Sequence, residues 1–187
     1  MDRESLATQV GGGGAAATSL VPNLVQGYQP APAPAFDPTR ARGFLAAAEK
    51  SLGASIGRLE YIYPSSELNR AVAEVLQQQW RDTLGLEVAL VNLENQPFRP
   101  LQRNLEYQVS HSSWIGDYLD PLTFLELFHS QSSNNRTGFQ DHQYDSLLDE
   151  ASARPEASAR FELLSLAETK LLEEAIVLPL LVDISQE

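Results

Sequence analysis

From Leu68 onward, apolar residues recur every three or four positions: Leu68, Ala71, Val72, Val75, Leu76, Trp80 and Leu84. That spacing predicts an amphipathic helix. Ser65 or Ser66 can cap it, and Glu67 falls in the first turn, where the helix dipole favours an anion. Gly85 sits where a left-handed C-terminal residue belongs. Strand-like stretches flank the helix: "RLEYIY" from Arg58 to Tyr63 and "LEVALVNL" from Leu86 to Leu93. Strand, helix, strand is the right-handed crossover unit of a parallel sheet.

The same reading extends along the chain. Asp2 to Val10 predicts a short helix with Leu6 and Val10 on one face, ended by the glycines from Gly11. Residues 15–36 are rich in Pro, Ala and Gly, and "YQPAPAPAFDP" reads as an extended, polyproline-like connector. It is either a flexible linker or an ordered strap that buries Leu20, Val21, Leu24, Val25 and Tyr28. Asp37-Pro38 is an N-cap followed by a proline at the first helical position. The helix it opens carries Phe44, Leu45 and Ala48 on its apolar face. Pro97 to Arg103 is a short helix or turn, and Tyr107 to Ser113 is a third strand candidate. Asp120-Pro121 repeats the cap-then-proline signal and opens a helix from Leu122 to His129. Asp141 caps a helix bearing Tyr144, Leu147, Leu148 and Ala151, and Pro155 restarts a longer one with Phe161, Leu164, Ala167 and Leu171. "AIVLPLLV", Ala175 to Val182, predicts a strand covered on both faces, with Pro179 at an edge or bulge.

Composition narrows the partners. The chain has 187 residues, 43% hydrophobic, enough for one domain with a real core. Its net charge of -12 repels phosphate backbones and anionic lipid, so no nucleic-acid partner is expected. There is no cysteine, which excludes disulfides, thiolate catalysis and cysteine-bound zinc. No apolar run approaches the ~20 residues that span a bilayer. Met1-Asp2-Arg3-Glu4 lacks the basic patch and apolar core of a signal peptide. The expectation is either a cytoplasmic protein or a piece of a longer one.

Few residues suggest chemistry. His111, His129 and His142 do not have the i, i+4 spacing of a helical metal pair. No G-x-S-x-G occurs, and "GGGG" at Gly11 lacks the lysine of a phosphate loop. No general acid, base and nucleophile assemble, so neither enzyme activity nor a cofactor is expected. "SSWIGDYLDP", Ser112 to Pro121, is different. A lone Trp at a strand end is ordinarily core, and a lone Asp in a turn ordinarily bonds nearby backbone. Together, at the carboxyl end of a strand in an open α/β sheet, Trp114 and Asp117 stand where such sheets bind ligands. An aromatic wall beside one carboxylate suits a ligand with an apolar body and an ammonium end.

"SELNRAVAEVLQQQWRDTLGLEVALVNLENQ" resembles a helix–strand passage in the second lobe of oligopeptide- and dipeptide-type extracellular solute-binding proteins of ABC importers, bacterial family 5. "YQVSHSSWIGDYLDPLTFLELFHSQSSNNRTGFQDHQYDSLLDEA" is similar to the passage after it, with W-x-x-D-Y-x-x-P, S-x-N and Y-D-x-L in order. "FDPTRARGFLAAA" resembles an earlier helix, and "DRESLATQV", the glycines and "LVPN" the start of that lobe.

The resemblance implies an α/β fold: a single lobe of the class II periplasmic-binding-protein type, with a mixed, mostly parallel sheet flanked by helices. Residues 1–36 form the short helix and strap, and 37–187 the ligand-binding lobe, incomplete at its C-terminus. The resemblance further implies a receptor whose two lobes close over a peptide, so the partners are a peptide or similar small molecule, the missing first lobe and the importer's membrane subunits. The implied location is periplasmic or extracytoplasmic. By resemblance Asp117 holds the ligand's α-amino group, Trp114 walls a side-chain pocket and Tyr118 completes the motif. His111 falls where some members carry a ligand-contacting Arg, Arg103 lies near a ligand carboxylate or side chain, and Asn134 and Asn135 match a family loop. The alternative is a truncated module that keeps the fold and acts in protein interaction without transport.

Overall fold

The structure, a computed structural model, describes residues 1–11 and 14–183. Contacts divide the chain into two compact units. Among the described residues, one comprises Met1–Ala16 and Ala35–Ser112 with Asp183, the other Ala17–Pro34 and Ser113–Val182.

The first unit begins with α1 (Arg3–Val10), whose Asp2 cap accepts the Ser5 N–H at 2.9 Å. Strand β1 (Gly14–Ala16) follows, then α2 (Pro38–Leu52), capped by Asp37 through the Arg40 N–H at 2.9 Å. Strand β2 (Leu59–Pro64), helix α3 (Glu67–Leu84) and strand β3 (Val88–Leu93) form the crossover. Ser66 is the α3 cap: its Oγ accepts the Asn69 N–H at 3.0 Å. Gly85 ends the helix at φ 69°, a left-handed conformation that glycine adopts without a Cβ clash. Helix α4 (Asn95–Arg103) and the short strand β4 (Val109–Ser110) complete the unit.

The sheet has the order β3-β2-β4 and is parallel throughout, with Leu59 opposite Val88 and Tyr61 opposite Val109. The parallel crossover read from the α3 periodicity is therefore present. Val72, Ala73 and Leu76 of α3 are buried, as are Tyr61, Ile62 and Tyr63 of β2. Leu6 of α1 is also buried, and Gln79 of α3 exchanges two 2.9 Å bonds with the Asp2 backbone.

Two expectations for this unit need correction. No residue of α2 is fully buried, and Phe44, placed on its apolar face, is 63% exposed; Arg40 instead lies 5.3 Å over the Phe44 ring. The third strand is only Val109–Ser110 rather than seven residues. It extends by one bond, from the His111 N–H to Ile62 O at 2.9 Å.

The second unit is helical. It contains α5 (Leu122–Leu125), a 3-10 turn over Glu126–Phe128, α6 (His142–Ala153) and α7 (Ala157–Glu173), and strand β5 (Leu181–Asp183) begins at its end. The expected helix to His129 thus tightens into 3-10 geometry after one turn. The N-cap position falls on Pro121, which makes no side-chain cap bond, and not on the expected Asp120; Asp120 Oδ1, one residue further back, accepts the Leu122 N–H at 2.9 Å. Asp141 caps α6 through the Tyr144 N–H at 2.7 Å. Leu125, Tyr144, Leu148, Leu164, Ala167 and Leu171 build the core, and Tyr144 donates to Leu125 O at 2.7 Å.

The run from Ala175 to Val182 is not one buried strand. Ala175 turns into the left-handed region at φ 54°, Ile176 N–H returns to Leu171 O, and Leu178 is 44% exposed. Of this run only Leu181 and Val182 belong to a strand, β5. Pro179 has no N–H to donate to a ladder ahead of it.

Residues 17–34 are an ordered strap. Val21 and Tyr28 are buried in the same core, while Leu24 points out. Its anchor is Glu168 of α7, which is fully buried. Oε1 accepts the Leu20 and Val21 N–H groups at 2.9 and 2.8 Å, and Oε2 accepts the Tyr28 hydroxyl and the Ala31 N–H at 2.7 and 2.9 Å. A segment without helix or ladder has few ways to satisfy buried amides, and one carboxylate satisfies three of them here.

Candidate ligand-binding site

Residues 113–120 form a loop with an exposed apolar face and a fixed base. Trp114 is 37% exposed, Tyr118 47%, and Ile115 and Leu119 are more exposed still. Trp114 is therefore a surface indole and not the core residue that burial tendencies favour.

The base of the loop is held at several points. Asp117 N–H donates to Thr123 Oγ1 at 3.1 Å, and Thr123 is fully buried. A Cβ at Gly116 would lie 3.0 Å from Thr123 Cγ2 and 3.2 Å from Phe124 Cζ. Only glycine lets the backbone approach this closely. Gly116→Ala is expected to cost about 1–3 kcal/mol through overpacking, read as a lower urea midpoint at unchanged slope.

The loop's polar groups are distributed unequally. Tyr118 donates its hydroxyl to Glu126 Oε1 at 3.0 Å. Burial, helped by that bond, pushes the phenol up to about 12. Tyr118 thus offers its ring, with the hydroxyl engaged. Asp120 is held by Arg160. The Asp117 carboxylate differs from both: it is exposed and, among the described residues, takes no hydrogen bond or ion pair. It is neither turned inward nor spent capping its own turn, the ordinary fate of a turn aspartate.

Of the five residues named from sequence, Trp114, Asp117 and Tyr118 come together on this loop. His111 and Arg103 belong to the other unit. His111 is half-buried. Its Nδ1 lies 3.0 Å from the Tyr61 hydroxyl, and its backbone carbonyl accepts from Gln102 Nε2 at 2.8 Å. Burial lowers its pKa from an already sub-neutral value, so the ring is neutral at pH 7. It does not supply the positive charge of an arginine at that position. Arg103 is exposed in the last turn of α4.

Asn135 is a structural residue. Its Nδ2 donates to the carbonyls of Phe128, His129 and Phe139, the last at 2.8 Å, while Asn134 remains exposed. A depression of about 460 Å³ lies beside them, lined by Glu126, His129, Asp149, Ser132 and Asn134 among others. Trp114 and Asp117 do not line it. His129 Nδ1 accepts the Gln131 N–H at 3.1 Å, with Asp145 and Asp149 at 3.8 and 3.6 Å from the ring nitrogens. Among the described residues no group of three or more His, Asp or Glu could hold a metal ion.

Sequence reasoning did not find Glu168 or the Asp120–Arg160 pair. Glu168 sits between the apolar positions Leu164, Ala167, Leu171 and Leu172. An acid at a core position of a helix was the available signal, because a buried carboxylate needs partners.

A parallel sheet flanked by helices is the fold of the periplasmic peptide-binding proteins that this chain resembles in structure. The chain belongs to the bacterial extracellular solute-binding proteins of family 5: the model described as "Bacterial extracellular solute-binding proteins, family 5 Middle" matches residues 1–136. It is 38% identical over 117 residues to the dipeptide-binding protein DppE of Bacillus subtilis, covering 63% of this chain and 22% of that protein. It is 30% identical over 188 residues to the periplasmic murein peptide-binding protein MppA of Escherichia coli, covering 96% of this chain and 35% of MppA. The solved structure of the E. coli murein tripeptide binding protein MppA superposes with a TM-score of 0.88 at 29% identity, over 97% of this chain and 37% of that one. The chain therefore spans about a third or less of the length of these relatives.

Proposed function

We propose that this chain is one lobe of the substrate-binding component of an ABC importer for peptides. Asp117 receives the α-ammonium of the ligand's amino terminus, and Trp114 and Tyr118 form an apolar wall beside it. The observation that carries the reading is the uncommitted Asp117 carboxylate on an indole-bearing loop where the Tyr118 hydroxyl and the Asp120 carboxylate are both engaged. The relatives' names, dipeptide-binding and murein peptide-binding, supply the ligand class.

The remaining partners follow from the same reading. A complementary lobe closes over the ligand and removes water from the Asp117–ammonium pair, which strengthens it. The closed receptor docks on the importer's membrane subunits, outside the cytoplasm. Among the described residues no helix is long and apolar enough to cross a membrane.

The test is calorimetry of the complete receptor with a free-amine tripeptide and its N-acetylated counterpart. Acetylation removes the charge, and Asp117→Asn removes its partner. Each change is expected to weaken binding about tenfold to a hundredfold, the range of a hydrogen bond to a charged group. Asp117→Asn is also expected to erase the preference for the free amine. Equal affinity for both peptides in the parent protein sinks the reading.

A further inference from the structure

We infer that Arg160 is a positioning residue for the ligand loop: through Asp120 it sets where Trp114 and Asp117 stand. The inference rests on the reading of that loop as the peptide site.

Arg160 belongs to the first turn of α7, 40 residues beyond the loop in sequence. Its two terminal nitrogens meet the two Asp120 oxygens, Nη1 to Oδ2 and Nη2 to Oδ1, each at 2.7 Å. This is the planar two-point geometry that a guanidinium offers and an ammonium does not. Both side chains are mostly buried, with 18% and 26% of their surface exposed, so solvent screens the pair less than an open surface pair. Asp120 Oδ1 also accepts the Leu122 N–H, which ties the same carboxylate to the start of α5.

The anchor stands three residues after Asp117. Between them only Tyr118 and Leu119 intervene, both largely exposed. The loop's other holds include the Asp117–Thr123 bond at 3.1 Å, the surface Tyr118–Glu126 bond, the close packing of Gly116 on Thr123 and Phe124, and the backbone bonds Asp120 N–H to Tyr118 O at 3.0 Å and Thr123 N–H to Asp120 O at 3.3 Å. Arg160 is itself braced from behind. Its neighbour Phe161 meets Tyr28 edge-on at 5.6 Å, and Gly27 lies against the same ring. Tyr28 is in turn fixed by Glu168. The strap thus holds the helix turn from which Arg160 reaches the loop.

The chain has two tryptophans, so Trp80→Phe leaves Trp114 as the sole indole. In that background, acrylamide quenching of Trp114 is measured without ligand in Arg160→Met, Arg160→Lys and Asp120→Asn, beside urea unfolding of each. Arg160→Met and Asp120→Asn are expected to raise quenching, Arg160→Lys to restore part of the parent value, and the double change to be no worse than either single one. Free-amine tripeptide affinity is expected to fall about tenfold in Arg160→Met, within the range for residues coupled through one network. Parent-like quenching in both a folded Arg160→Met and Asp120→Asn overturns the inference. If Arg160→Met does not fold, Asp120→Asn and Arg160→Lys decide by the same quenching. If the parent protein does not distinguish free from acetylated peptide, the peptide-terminus reading falls, while the ligand-free quenching still decides the role of Arg160.

Discussion

Glu168→Ala is expected to destabilise the second unit by about 4–6 kcal/mol, from the sum of the groups it would leave unpaired. The carboxylate accepts four bonds, from Leu20, Val21 and Ala31 N–H and from the Tyr28 hydroxyl. Removing it strands three backbone donors and a phenol, all buried except the partly buried Leu20 N–H. Each stranded donor costs about 1–3 kcal/mol, partly offset because a desolvated charge is also removed. That is a large share of the ~5–15 kcal/mol that holds a typical domain together. Glu168→Gln should be milder. Its amide oxygen still serves Leu20 and Val21, and its NH2 can donate to the Tyr28 oxygen, but it opposes the Ala31 N–H. Urea denaturation monitored by far-UV circular dichroism measures both. A loss below about 1 kcal/mol for Glu168→Ala would mean that the strap is not held through this carboxylate.

The same pair of proteins has an expected pH dependence. Burial raises the Glu168 carboxyl above the ordinary glutamate range, against its four hydrogen bonds, which pull it down. A raised folded-state value means that the native protein binds the proton more tightly than the unfolded chain. The resulting stabilisation is present at low pH and is lost as pH rises through the folded value. Relative to Glu168→Gln, which cannot titrate there, the parent protein should therefore gain stability as pH falls from neutral toward the carboxylate range.

Local chemistry that leaves a mark within a few residues was legible in the sequence. Ser66, Asp37 and Asp141 cap their helices because each cap is a contact three residues long. The α3 stripe and the strands around it give a parallel crossover because period and connection hand leave little choice. The loop 113–120 was legible as a candidate because an indole and a carboxylate shared one turn. What escaped was long-range. Nothing near Asp120 in sequence announces Arg160, and nothing near Tyr28 announces Glu168. The apolar run 175–182 misled because a short apolar stretch does not say whether it ends as strand or as coil lying on a helix. Ala175 at positive φ decides that, and alanine gives no warning of it. On α2 the apolar positions promised a buried face that the described residues do not cover.

Tyr28→Ala is the second large effect, expected at about 3–5 kcal/mol, the range for deleting a buried aromatic ring. Tyr28 is among the largest fully buried side chains, stacks edge-on with Phe161 at 5.6 Å and donates to Glu168 at 2.7 Å. Burial and the adjacent carboxylate push its phenol far above ordinary tyrosine, so it remains a donor at any pH where the protein folds. Tyr28→Phe separates ring from hydroxyl. It keeps the ring contact and should cost about 1.5–3 kcal/mol, the range for a bond to a charged group. In a Glu168→Gln background the same change should cost clearly less, because the partner is no longer a full charge. The difference between the two costs is the coupling energy of the pair, and it isolates the bond from the burial of the ring. Equal costs in both backgrounds would leave the ring packing intact as an explanation for the strap and remove the carboxylate from it.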